Sequence, residues 1–125
     1  MIRIVAGAAY LSHTTQLFCD FNILKFEQIK LYQSGEFMYR FDHGLLPPVF
    51  KGLFNLGSQI HSHSTRNSSN YISIFARTNS RLFSIRATGP SIWNKIPLEV
   101  RQSPSLSLFK KKLRSHLVGN SNNVL

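Results

Sequence analysis

The chain has 125 residues, a formal charge of +10, 42% hydrophobic residues, a single cysteine and a single tryptophan. That length suits one domain with one core, and the ten Phe and four Tyr exclude disorder throughout. A lone thiol excludes an internal disulfide and a Cys-rich zinc site, so the expected setting is intracellular, cytoplasm or nucleus, with no cofactor and no structural metal.

The opening MIRIVAGAAYLS holds one basic residue, Arg3, and an apolar run near the lower limit for a signal peptide, so no signal peptide is expected there. No stretch approaches the roughly twenty apolar residues that cross a bilayer. A turn or two of helix is expected over residues 14–20, with Leu17, Phe18 and Phe21 inward, Cys19 as a buried thiol, and Asn22 as the break. Residues 25–44 form the longest expected helix, because Phe37, Met38, Phe41 and Leu45 recur along one face while Glu36, Arg40 and Asp42 face water. Their spacing marks a buried stripe rather than a base-stacking surface. Gly35 weakens this helix by about 1 kcal/mol relative to Ala, and Pro47-Pro48 close it.

The run GSQIHSHSTRNSSN, residues 57–70, contains almost nothing to bury and reads as a disordered Ser/Asn/His-rich linker. Its His61 and His63 lack a third ligand at useful spacing, so a solvated pair is expected there and not a metal site. Residues 71–77 and 82–86 are short, apolar and aromatic, and Thr78-Asn79-Ser80 has turn chemistry, so a small β-hairpin is expected with Phe83 and Ile85 inward. Its Arg77, Arg81 and Arg86 would gather near one end.

Pro90, Pro97 and Pro104 each suit a helix's first turn, which predicts three short helices. In the third, Ser103 caps, Pro104 starts, Leu106, Phe109, Leu113 and Leu117 form an apolar stripe, and Gly119 stops it. Lys110, Lys111, Lys112 and Arg114 lie off that stripe, and Trp93 is expected to be buried against it as the pivot of the core. The expected fold is therefore mainly α, an α+β arrangement of several short helices with one small hairpin. It reads as a single domain or domain fragment: residues 1–56 as a helical half, 57–70 as linker, 71–119 as hairpin plus proline-initiated helices, and 120–125 as a disordered tail.

Four runs occur in order: RIVAGAAYLSHTTQLF from Arg3, FMYRFDHGLLPPVF from Phe37, RTN from Arg77, and GPSIWNKIPLEVRQSPSLSLFKKKLRSHL from Gly89. Together they resemble the extreme C-terminal segment of reverse transcriptases of non-long-terminal-repeat (LINE-type) retrotransposons, with GPSIWNKIP and SLFKKKL the most specific. In that family the segment lies downstream of the catalytic palm. The resemblance implies an accessory role in holding template or primer.

Charge is unevenly placed. Residues 1–65 hold five Lys/Arg against four Asp/Glu, and residues 66–125 hold ten against one. So basic a half attracts a polyanion through counterion release, which points to sequence-independent binding of RNA or DNA. The candidate contacts are Arg77, Arg81, Arg86, Lys110, Lys111, Lys112 and Arg114; the alternative is a structural or protein-interaction tail docking on the polymerase domain or an acidic partner. The five carboxylates, Asp20, Glu27, Glu36, Asp42 and Glu99, are never adjacent, so the two-metal chemistry of a polymerase or nuclease is not expected on this chain. Glycine-rich phosphate loops and nucleophile elbows are absent from the sequence as well, which leaves no catalytic residue to name and no small-molecule substrate.

Overall fold

A computed structural model describes residues 1–60, 66 and 68–120. In chain order it contains α1 (Ile2–Val5), α2 (Thr14–Asp20), α3 (Phe26–Asp42), a 3-10 turn (Pro48–Phe50), α4 (Gly57–Ile60), α5 (Asn79–Leu82), α6 (Ile85–Lys95), α7 (Leu98–Arg101) and α8 (Leu106–Gly119). The class is mainly helical. Among the described residues no helix is long and apolar enough to cross a membrane.

Helix α3 is the centre, and α6 and α8 pack against it. Its start is held by Gln28, whose Oε1 accepts from the Lys25 backbone N–H (2.8 Å) while its Nε2 donates to the Leu117 carbonyl (2.6 Å). Near its other end the Tyr39 hydroxyl donates to the Ser103 carbonyl (2.7 Å), just before α8. The start of α3 thus meets the end of α8 and the reverse, so the two helices run antiparallel. Between those bonds Tyr39 stacks on Phe109 (4.4 Å), and Trp93 from α6 lies 5.9 Å from the same ring. Met38, Tyr39, Trp93, Ile96, Phe109 and Leu113 are the buried centre, with Leu106 partly buried beside them.

Gly35 is where α8 and the end of α6 close in. A Cβ there would stand 2.9 Å from Leu113 Cδ2 and 3.2 Å from Ile96 Cδ1, so the helix gives up propensity for close approach. Gly89 on α6 has the same role toward Met38 and Phe54, at 2.8 and 3.2 Å.

The turn and second arm of the expected hairpin are helical, and residues 71–77, though extended, pair with no second strand among the described residues. Thr78 and Ser84 stand at the N-cap positions of α5 and α6 in extended conformation, neither with a side-chain cap hydrogen bond. Ile85, Ile92, Trp93 and Ile96 recur at helical spacing, and that period overrides the two-residue alternation of residues 82–86. Ile85 packs on the core, whereas Phe83 is exposed. Among the described residues the extended pairing is one antiparallel bridge between Leu56 and Tyr71, flanked by the Ile72 N–H to Asn55 carbonyl bond (3.0 Å). Tyr71 donates its hydroxyl to Asp42 (2.6 Å); burial, then that bond and the carboxylate charge, hold its ionisation well above the usual tyrosine range.

The proline reading also changes. Pro90 sits buried inside α6, Pro97 is the N-cap of α7, and Pro104 lies outside α8. Ser105 caps α8, its Oγ accepting from the Leu108 N–H (3.3 Å). Ser103 is instead buried, donating to the Val100 carbonyl (2.7 Å). Residues 57–70 are tied at their ends: Gly57 is buried, the Gly57 N–H donates to Asn70 and the Ser58 N–H to Ser68 (both 3.0 Å), and α4 occupies the first turn. His61, His63 and the tail residues 121–125 lie outside the described residues. Leu45 is exposed, outside the stripe that Phe37, Met38 and Phe41 bury.

Candidate nucleic-acid interface

The basic side chains of the C-terminal half divide by what surrounds them. Lys110 leaves α8 toward α3 and pairs with Glu36 at 2.9 Å; Arg40, one turn along α3, pairs with the same carboxylate at 2.7 Å. Glu36 is only 19% exposed at its side chain, so this is a shared, partly buried ion pair that ties α3 to α8. Arg114 donates to the Asn22 carbonyl (2.8 Å), across to the loop after α2. Asn22 itself adopts φ 52°, a left-handed turn in which Asn is among the tolerated residues. Of the four cations expected to face phosphates on α8, Lys110 is therefore paired within the fold, while Arg114 stays exposed and is tied to a backbone carbonyl. Helices α2, α3 and α7 all pack on α8, which brings Lys110 against Glu36 and Arg114 against the loop after α2.

Lys111 and Lys112 remain exposed. They line a cleft of about 430 Å³ with Glu99, Val100, Leu108 and Ser115, and Lys112 makes a long 3.4 Å bond to the Glu99 carbonyl, which leaves its charge uncompensated. Arg77, Arg81 and Arg86 are exposed on the segment before α5, on α5 and in the first turn of α6; among the described residues their side chains have no hydrogen-bond or ion-pair partner. Helix α5 packs on α6, whereas α7 and α2 pack on α8, so the arginines and the lysine pair sit on different helices around the central α3. Trp93, Phe109 and Leu113 lie in the core and contribute nothing to this surface.

Several contributors were not anticipated. Glu36, assigned to water by its position on α3, pairs with Arg40 one turn along its own helix and with Lys110 because α8 arrives beside it. Lys30 places its Nζ 5.5 Å above the ring of Phe83, a contact between residues far apart in sequence. A local signal for exposed aromatics did exist in the order Phe75, Arg77, Arg81, Phe83, Arg86, where rings and cations interleave. Among the described residues no three of His, Cys, Asp and Glu gather closely enough to hold a metal ion. Cys19 is half-buried, its Sγ 3.9 Å from the Val118 carbonyl.

The division yields a test. Lys110→Gln removes an ion pair and leaves Glu36 with one partner, so it should cost about 0.5–1 kcal/mol of stability. Lys111→Gln with Lys112→Gln should stay within about 0.5 kcal/mol of the parent and weaken duplex binding, shallowing its salt slope by about 2 units. Denaturant unfolding and fluorescence anisotropy read the two effects separately; an equal stability loss in both variants would contradict the division.

No family model, curated protein or solved structure matches this chain.

Proposed function

We propose that the chain is a non-catalytic C-terminal piece of a LINE-type retrotransposon reverse transcriptase that binds RNA or DNA without sequence preference. The observation that carries the binding is that Arg77, Arg81, Arg86, Lys111 and Lys112 are exposed and, among the described residues, have no carboxylate partner. Unneutralised cations on one half of a small chain release condensed counterions when they meet a phosphate backbone. The family origin rests on the four sequence runs from Arg3 to Leu117, and the accessory role rests on the dispersed carboxylates. Phosphate contacts carry no base information, so unrelated sequences should bind alike.

Anisotropy titrations with labelled duplexes over a range of salt test this reading. If all five cations meet phosphates, log K against log salt should fall with a slope of about −4 to −5. Binding that ignores salt, or that selects one sequence by a large factor, would overturn it.

A second reading, a tail docking on the upstream polymerase domain or an acidic partner, is favoured by a different observation. Ile4, Val5, Tyr10 and Leu11, on and just after α1, are all largely exposed. Apolar surface of that kind marks contact with another protein surface. A chain that ignores nucleic acid but is captured by its polymerase domain would favour this reading.

A further inference from the structure

Three large aromatic side chains stand out from the fold on segments that also carry cations. Phe75 is 85% exposed, Phe83 71% and Phe26 81%, while Phe109, Phe54 and Trp93 supply the core. Their placement is linked by contacts. Phe26 and Lys30 are one turn apart on α3 and so share a face, and the Lys30 ammonium lies over the Phe83 ring. Phe83 follows α5, which carries Arg81. The Ser73 hydroxyl donates to the Ala87 carbonyl (3.4 Å), which sets the start of the segment that carries Phe75 and Arg77 beside the turn that carries Arg86.

Burial alternates along residues 72–77. Ser73, Phe75 and Arg77 are exposed, while Ile72 and Ile74 are half-buried and Ala76 is buried. That period is the mark of an extended segment, with Phe75 and Arg77 on the same outward side at a separation of about 6–7 Å. Successive nucleotides of an extended strand repeat at a similar distance. Across residues 25–30 and 72–87 the sequence holds Lys25, Lys30, Arg77, Arg81 and Arg86 against a single acid, Glu27. Lys25 is engaged with Thr15 (3.0 Å), which leaves four cations on the segments that carry the three rings.

We infer that this surface is a track for single-stranded nucleic acid, on which Phe26, Phe75 and Phe83 stack unpaired bases while Lys30, Arg77, Arg81 and Arg86 hold the phosphates between them. Exposed rings interleaved with cations bind single strands because every base has a π-face, whereas paired bases in a duplex keep theirs covered. Charge alone would not distinguish the two forms. The inference rests on the nucleic-acid reading above and adds to it a preference for unpaired strands. An apolar protein partner would use the rings but gain little from the surrounding positive charge.

The test compares labelled oligodeoxythymidine with a duplex of equal length, at the same salt, for the full chain and for Phe75→Ala with Phe83→Ala. Both rings are mostly in solvent, so the double variant should melt as the parent does. Its affinity for oligodeoxythymidine should fall about fivefold or more for each ring removed, and its affinity for duplex should not change. Phe75→Trp gives an independent readout: its emission should be quenched by oligodeoxythymidine and not by duplex, against a constant background from buried Trp93. Unchanged single-strand affinity in the double variant, an equal loss on both forms, or an unquenched Phe75→Trp overturns the inference while salt-dependent duplex binding still stands. If the full chain binds neither form, the nucleic-acid reading itself falls, and this inference with it.

Discussion

Trp93→Ala should lower the stability of the fold by about 3–5 kcal/mol, the usual cost of deleting a large buried aromatic. The indole is 3% exposed. It lies 5.9 Å from Phe109, which is itself stacked on Tyr39, and the Arg101 guanidinium sits 6.0 Å from its ring. Trp93 therefore joins α6 to the α3–α8 pair at the point where all three meet. Truncation would open a cavity beside Phe109 and strip the cover from Arg101, whose Nε is already buried without a hydrogen-bond partner among the described residues. A loss of that size is a large fraction of the roughly 5–15 kcal/mol that holds a small domain together. Because the variant loses the only tryptophan, unfolding is followed by circular dichroism. A midpoint equal to that of the parent would mean that the indole is not enclosed.

How much of this was legible follows from how local each feature is. Helix α3 was readable within two residues at each end, since Phe37, Met38 and Phe41 fall at helical spacing and the interruption after Asp42 is written in Gly44 and Pro47. The stripe of α8 was readable for the same reason. The start of α8 was displaced by two residues because Ser103 and Ser105 are equally good caps by type. The choice was made by burial, as Ser103 is drawn under Tyr39. Residues 78–86 were misread because turn residues also cap helices, and a five-residue apolar stretch fits both periods. Pro90 was placed in a first turn when the helix begins at Ile85 and carries the proline within it.

The candidate interface was legible in composition and not in detail. Which half is basic can be counted. Which cations are free depends on the element each one meets, and the Lys110 pair with Glu36 and the Arg114 bond to Asn22 span 74 and 92 residues. No local pattern reports such contacts. The exposed rings were missed because aromatic residues default to the core; the surrounding cations were the available sign that Phe75 and Phe83 do not.

Arg77, Arg81 and Arg86 should carry the largest part of the binding. Their side chains have no partner among the described residues, and Gln keeps helix propensity close to that of Arg at Arg81 and Arg86, so replacing all three should leave stability within about 0.5 kcal/mol. Three lost phosphate contacts should shallow the slope of log K against log salt by about 2–3 units and weaken unrelated sequences equally. Circular dichroism confirms that the variant is folded before binding is read.

The most direct measurement is the plot of log K against log salt on one DNA duplex, for the parent chain and for the triple Arg→Gln variant side by side. The expected result is a steep negative line for the parent and a line about 2–3 units shallower for the variant, from proteins that unfold at the same denaturant concentration. Two coincident lines would contradict binding through these arginines.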